Sequence, residues 1–325
     1  MSKNYTLFIL LFLILILFPC KPYIKKHSIV VIQFSEEIPS YVDTYNGIVE
    51  GLKDKGYIND LNLKMHYFLF LQNKNLSLEK ILKIKKDLIV TLGTIPTEFM
   101  MSSLPTPNKT PLVFTIVLEP KCLQLTEEKR KLLNITGVSM KLPIRTQLYL
   151  IKEAFPNLKR LGLFYCIDYP QSVYLAQEIK ENSSYFKLKV YGKTFSNVIS
   201  LEEVKRLSEQ FAKKVDLIYL IDPFTHTPKV LKKIVEGADK HSVPVVGITK
   251  ACTNFGALMG IHCDFFKLGY VTSDVIDSIL KGYPAYKIPI QYPRTFKISL
   301  NMKKAKELGI QFPRNFILRS DEILY

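Results

Sequence analysis

Short runs along the chain place a polar, acidic or aromatic residue at the end of an apolar stretch. They are Phe34-Ser35-Glu36, Gly93-Thr94, Glu119 ahead of Pro120, Tyr165 with Asp168, Asp222 ahead of Pro223, and Thr249. The hydroxyl of Thr94 and the backbone N–H groups at Gly93 suit a carboxylate. Glu119 or Asp222 suits an ammonium, and Phe34 and Tyr165 suit an apolar or aromatic body. Each has a plainer local use. Glu36 and Asp168 fit solvated loops, Glu-Pro and Asp-Pro start turns, Thr94 caps a helix, and Phe34 and Tyr165 fill a core. Their shared position at strand ends is the signal, because open parallel sheets collect ligands at the carboxyl ends of their strands.

Catalytic patterns are missing. The chain has no phosphate-loop G-x-x-x-x-G-K-[ST], no G-x-G-x-x-G after its first apolar run, no G-x-S-x-G and no H-E-x-x-H. Its histidines (His27, His66, His226, His241, His262) are dispersed. Cys252, His262 and Cys263 lack the close pairing of a zinc site and read as a buried strand-edge group. No enzyme activity, metal or cofactor is therefore expected. Lys+Arg 45 against Asp+Glu 29 gives a net charge of +16 over 325 residues. The lysines are scattered among Ile, Leu, Tyr and Asn without an aromatic-interleaved basic motif, so the reading is a solvated basic surface and no nucleic-acid partner, with attraction to an anionic membrane the secondary reading.

Two similar halves must position these groups. The first half reads as strand His27–Phe34, a helix with Tyr41, Tyr45, Ile48 and Leu52 on one face, strand Leu61–Leu71, helix Leu78–Lys85, and strands Asp87–Leu92 and Pro111–Leu118. The second half repeats the order. Strand Leu158–Cys166, helix Ser172–Asn182, strand Phe186–Phe195, a helix through Leu201, Val204, Leu207 and Phe211, strand Asp216–Ile221, helix Lys229–Lys240 and strand Val243–Ile248 follow one another. Continuously apolar strands alternating with helices predict an α/β protein of two doubly wound parallel-sheet lobes. The last quarter breaks the repeat with strand Ala257–His262, a helix through Leu268, Val271, Val275 and Ile279, strand Thr295–Leu300 and helix Met302–Leu308. Such leftovers suit a chain crossing back between lobes on short hinge strands. The expected N-terminal lobe is 27–142, completed by about 257–290, and the expected C-terminal lobe is 146–256, completed by about 294–325.

Residues 1–20 stand apart. Behind Lys3, the apolar run Leu7–Phe18 spans about 18 Å as a helix, short of a bilayer core of roughly 30 Å. It reads as an export signal. Cys20 is similar to the acceptor cysteine of a bacterial lipoprotein, although Pro19 stands where a small residue is usual. An uncleaved anchor held by Lys21, Lys25 and Lys26, and simple cleavage with release, are the other readings. All three imply export with an N-terminal membrane attachment or passage. Cys252 and Cys263 are close enough in sequence to pair, though buried thiols are the commoner use of cysteines in a chain of this size.

Several further runs fall in a recognisable order. They are Tyr45-Asn46-Gly47-Ile48-Val49-Glu50-Gly51-Leu52 with Gly56-Tyr57, Asp87-Leu88-Ile89-Val90 leading to Gly93-Thr94, and Asn134-Ile135-Thr136-Gly137-Val138-Ser139. Phe155-Pro156-Asn157-Leu158-Lys159-Arg160, Val215-Asp216-Leu217-Ile218-Tyr219, Gly269-Tyr270 with Leu280-Lys281-Gly282, and Asn301-Met302-Lys303-Lys304-Ala305 with Leu308-Gly309-Ile310 complete the series. Together they resemble the extracytoplasmic solute-binding proteins of ABC transporters, in the family that includes tryptophan- and tyrosine-type binding proteins. The resemblance implies a type I periplasmic-binding fold whose lobes close on a small solute, an amino acid and more narrowly an aromatic one. It also implies a monomer that delivers this cargo to a membrane permease driven by a separate ATPase. In that frame Thr94 and Ser172 hold a carboxylate from opposite lobes, Glu119 and Asp222 hold an amino group, and Phe34 and Tyr165 sandwich the side chain. The sequence departs from the family at the cleft. Glu119-Pro120 replaces Asp-Pro, Cys166–Ser172 replaces an Asn/Pro/Glu-containing loop, and Glu36-Glu37-Ile38-Pro39 stands where His-Pro is usual. A ligand-sensing ectodomain of the same fold, a two-lobed nucleotide-sugar-type enzyme and a structural surface protein are the rival readings.

Overall fold

A computed structural model describes residues 25–70 and 78–325. The segment expected to be an export signal, with Cys20, lies outside the described residues.

The first sheet grows from runs of apolar residues that are buried on both faces. In β1 (His27–Gln33), Ile29 and Val31 point into one core cluster and Val30 and Ile32 into another. That double burial explains why the strand is continuously apolar, with each such side chain contributing about 1.5–3 kcal/mol on leaving water. After it come α1 (Pro39–Asp54), β2 (Leu63–Leu69), α2 (Leu78–Lys83), β3 (Leu88–Leu92), α3 (Thr94–Ser103), β4 (Leu112–Val117), α4 (Glu127–Leu133) and β5 (Ile135–Ser139). The order across the sheet is β2-β1-β3-β4-β5, parallel throughout.

The second lobe runs α5 (Ile144–Ala154), β6 (Arg160–Cys166), α6 (Pro170–Ser183), β7 (Lys189–Phe195), α7 (Leu201–Ala212), β8 (Leu217–Leu220), α8 (Pro228–Asp239), β9 (Val245–Gly247) and β10 (Met259–His262). The chain then crosses to α9 (Phe265–Leu280) and returns through β11 (Lys297–Asn301), α10 (Met302–Leu308), α11 (Arg314–Leu318) and β12 (Glu322–Leu324). This sheet has the order β12-β11-β10-β9-β8-β6-β7, with β11 antiparallel to β10 and parallel to β12.

Helix α9 joins the first lobe through a close crossing with α1. A Cβ built on Gly47 would lie 2.0 Å from the Phe266 carbonyl oxygen, and one on Gly269 would lie 2.0 Å from that of Thr44. Only glycine at both positions lets the backbones approach this far, and the Thr44 hydroxyl spans the contact to the Phe265 carbonyl (3.1 Å).

Three differences from the sequence reading emerge. Strand β10 pairs with β9 and β11 in the second sheet, so the return to the first lobe begins at α9 and not at residue 257. The first sheet has an added edge strand, β5. Cys252 and Cys263 are both buried free thiols, so the pairing weighed above does not form.

Three chain crossings join the lobes, after β5, after β10 and before β11. The third is tied to strand β5 of the first lobe, since Gln291 donates its N–H to the Gly137 carbonyl (2.9 Å) and accepts from the Ser139 N–H (2.8 Å). Among the described residues no helix is long and apolar enough to cross a membrane.

Candidate ligand-binding cleft

The strand ends of the two sheets face each other across the crossings. On the first lobe, Phe34 leaves β1 with its ring 5.7 Å from Tyr41 and 6.5 Å from Phe70, and Phe70 is 5.5 Å from Phe99. Gly93 leaves β3 at φ 112°, a backbone state that favours glycine. A Cβ there would meet the Tyr41 hydroxyl at 3.0 Å. The glycine therefore both turns the chain into α3 and admits the phenol beside the helix start. No side chain caps α3, so its first N–H groups are available to an anion. Thr94 is 7 % exposed, and its neighbour Thr97 is already committed to Thr91 (2.8 Å) and the Gly93 carbonyl (2.7 Å).

On the second lobe, α6 starts at Pro170 with Tyr169 at its cap position and again no side-chain cap. Ser172 in its first turn is wholly buried, and its Oγ has no hydrogen-bond partner among the described residues. A buried hydroxyl without a partner costs on the order of 1–3 kcal/mol, so a hydrogen bond made to it would recover that cost. The Tyr169 ring stacks on Phe224 (6.3 Å), and Phe224 lies 6.0 Å from Phe195. Burial raises the pKa of the Tyr41 phenol, and the charge of Tyr169, from the other lobe, adds to the effect.

Other strand-end residues are already occupied. Glu119 is 1 % exposed. One of its oxygens accepts the Lys121 N–H (3.0 Å), and the other is bonded to the Lys141 ammonium, which also reaches Glu178 (2.6 Å). Burial works against the Lys141 charge, but its bonds to Glu119 and Glu178 outweigh it and hold the pKa above the ordinary value. Asp222 is fully buried and accepts the Cys166 N–H (3.1 Å) and the Thr225 N–H (2.9 Å). It laces the end of β6 to the turn after β8. Burial, opposed by those bonds, pushes its carboxyl up to about 7.

His226 extends this lacing. Its Nε2 accepts the Ile248 N–H (2.9 Å), which requires a proton on Nδ1, donated to the Asp222 carbonyl (2.6 Å). Burial lowers its pKa to about 4. Asp168 accepts from Ser196 Oγ (2.8 Å) and the Asn197 N–H (2.6 Å), joining the loop after β6 to the loop after β7. The bonds from Asn197 and Ser196 hold its carboxyl below its ordinary value.

Of the residues singled out in the sequence, Phe34, Gly93 and Thr94 come together on the first lobe. Ser172 stands at the start of α6, and Thr249 is half-buried at the exit of β9. Glu36 is exposed and lies near enough to Tyr67 to help raise that phenol, after burial. Tyr165 shares a core cluster with Leu161 and Leu163, the alternate residues of β6. The aromatic face of the second lobe instead comes from Tyr169 and Phe224. An aromatic immediately ahead of Pro170, where a helix must begin, was the available signal for Tyr169. Lys141 was also missed; a lysine placed in a lobe crossing was its only sequence mark.

Between the lobes, beside the crossings, lies a cavity of about 20 Å³ lined by Leu118, Met140, Ile221 and Ile248 among others. That is room for a water molecule and not for an amino acid.

Two parallel-sheet lobes, three crossings and facing strand ends define a type I periplasmic-binding-protein-like fold. The chain belongs to the ABC transporter substrate binding protein family, whose profile matches residues 28–324. It is 24% identical over 294 residues to the tyrosine-binding protein of Clostridioides difficile, covering 88% of this chain and 82% of that one. The crystal structure of an ABC domain in complex with L-Trp from Streptococcus pneumoniae is similar at 25% identity and a TM-score of 0.80, over 92% of this chain and 100% of that one. A conserved domain protein from Vibrio cholerae is similar at 26% identity and a TM-score of 0.78, again over 92% and 100%. The chain is thus a substrate-binding protein and not an enzyme.

Proposed function

We propose that the protein captures an aromatic amino acid between its lobes and hands it to a membrane permease powered by a separate ATPase. It acts outside the cytoplasm as a monomer, held to the membrane by its N-terminal segment, with Cys20 the lipidation point. The observation that carries the reading is a pair of uncapped helix starts, one on each lobe, carrying Thr94 and Ser172, with Tyr41 beside the first and Tyr169 at the cap of the second. The rings receive the side chain, and the helix starts with their hydroxyls receive the carboxylate. The names of the C. difficile relative and of the L-Trp complex support the same cargo class. Glu119 and Asp222 are spent on Lys141 and on backbone N–H groups, which leaves the ammonium's partner to be found by the binding measurements below.

Closure does the work. A solute that touches both walls only when they approach shifts the open–closed equilibrium by its differential affinity for the closed form; periplasmic binding proteins are the standard example of such hinge closure.

Thermal unfolding against a panel of L-amino acids, sugars and nucleosides tests the cargo. A ligand at 100 times its Kd adds about 2.7 kcal/mol, a shift of roughly 5–11 °C. Shifts confined to tyrosine, tryptophan and phenylalanine support the reading, and a shift with sugars alone refutes it. Uptake of the labelled amino acid by cells with and without the gene then tests delivery.

A further inference from the structure

Lys141 sits in the first crossing, where its backbone N–H donates to Ser139 Oγ (3.0 Å). Its ammonium bridges two carboxylates that belong to different lobes. Glu119 follows β4 of the first lobe and is buried against Lys141, and Glu178 lies on α6 of the second lobe and meets the same ammonium at 2.6 Å. The side chain of Lys141 is 11 % exposed and that of Glu178 31 %, so the contact is screened less than a surface pair. Helix α6 also touches the short turn Pro120–Leu123 that Glu119 opens, so this is a point where the lobes meet. A second charged link, Lys297 at the start of β11 to Asp264 just after β10 (2.8 Å), stays on the second-lobe side, where the chain leaves and rejoins that sheet, and so does not span the lobes. Glu178 stands on a helix body, where lobe rotation changes its separation from Lys141.

We propose that Glu178 is a closure latch: Lys141 stays with Glu119 in the first lobe, and hinge opening breaks its bond to Glu178, so the chain carries part of its closing free energy before any solute arrives. The latch presupposes the lobe closure invoked above. It makes Glu178 a positioning residue that tunes affinity without touching the ligand.

The test is the distance between labels at two exposed mouth residues, Glu37 and Val198, in the full-length, ligand-free chain. Glu178→Gln is expected to lengthen the distance or broaden its distribution toward the open form. Raising salt from about 0.01 M to about 1 M cuts the screening length from about 30 Å to about 3 Å, and should open the wild type while leaving Glu178→Gln unmoved. Because affinity scales with the closure-competent fraction, Kd for the bound solute should rise roughly three- to tenfold in Glu178→Gln. Glu178→Asp, which keeps the charge on a shorter arm, should fall between the two. Distances identical in wild type and Glu178→Gln, or equally sensitive to salt in both, overturn the latch. The distance measurement needs no cargo, so failure to find an aromatic ligand bears on the proposed function alone.

Discussion

Asp222 and His226 should give the protein two opposing pH dependences that nearly cancel, and removing one should expose the other. Burial raises the Asp222 carboxyl from its ordinary 3.8 to about 7. Between those values the folded chain holds a proton that the unfolded chain has released. Its contribution is therefore full below 3.8 and is lost as pH rises toward 7, about 4 kcal/mol over the window at 1.36 kcal/mol per unit. His226 has the opposite sign, because its Nε2 is spent accepting the Ile248 N–H and burial lowers it from 6.5 to about 4. Its contribution is full above 6.5 and is lost as pH falls toward 4, about 3 kcal/mol. From pH 4 to 6.5 the two slopes offset each other. Asp222→Asn removes the first and keeps a near-isosteric amide, leaving one backbone N–H poorly matched at every pH. Urea unfolding of wild type and variant at pH 4, 5, 6 and 7 reads the result. Wild type minus variant should fall by about 3 kcal/mol as pH rises from 4 to 7, and the variant alone should weaken on acidification. A difference that is flat with pH would mean that Asp222 titrates alike in both states, and would refute the reasoning.

Other outcomes follow from the cleft. Thr94→Val and Ser172→Ala should each weaken binding of an aromatic amino acid by about 1.5–3 kcal/mol, the worth of a hydrogen bond to a charged group, and isothermal titration with the matching amino-acid amide should show little change. Tyr169→Ala should cost at least tenfold in affinity, while Tyr165→Phe, in the core, should leave affinity unchanged in the same titration; the reverse order would move the aromatic wall to Tyr165. Gly47→Ala forces a methyl to 2.0 Å from the Phe266 oxygen, and urea unfolding should show a loss of about 1–3 kcal/mol as α1 and α9 separate.

Much of this fold was legible because double burial leaves a simple mark. Runs such as Ile29–Ile32 and Leu88–Leu92 are apolar without alternation, and the helices between them carry one apolar face. Strand β5 escaped because Ile135-Thr136-Gly137-Val138-Ser139 mixes hydroxyls and a glycine into a buried strand. Gly137 is needed there, since a Cβ would fall 2.4 Å from the Phe114 ring. The sheet that takes β10 was not legible, because its partners, β9 and β11, are a matter of distant pairing and not of local pattern. In the cleft, the strand-end rule located Thr94, Glu119 and Asp222 but could not tell which of their oxygens were already used. Alternation along β6 placed Tyr165 with Leu161 and Leu163, inside the core, whereas Tyr169 lies beyond the strand where a helix cap can face the opening.

The occupied and unoccupied polar groups of the cleft divide along functional lines. Asp168, Asp222 and His226 spend their hydrogen bonds joining the loops after β6, β7, β8 and β9, so the wall of the second lobe is held before a ligand arrives. Rigidity of this kind lowers the ordering cost that binding must otherwise meet. Glu119, buried where a free charge would be costly, has its counter-charge within the chain, and the same ammonium reaches the other lobe. Among the described residues, the Ser172 hydroxyl, Gln33 Oε1 at the end of β1, and the uncapped starts of α1, α3 and α6 stay unmatched. A group left unsatisfied at the end of an otherwise satisfied network is where an external acceptor gains most, because it removes a desolvation penalty the fold already carries. An anion that spans the starts of α3 and α6 gains on both lobes only in the closed form. On the proposed reading, these groups would couple recognition of the carboxylate to closure itself.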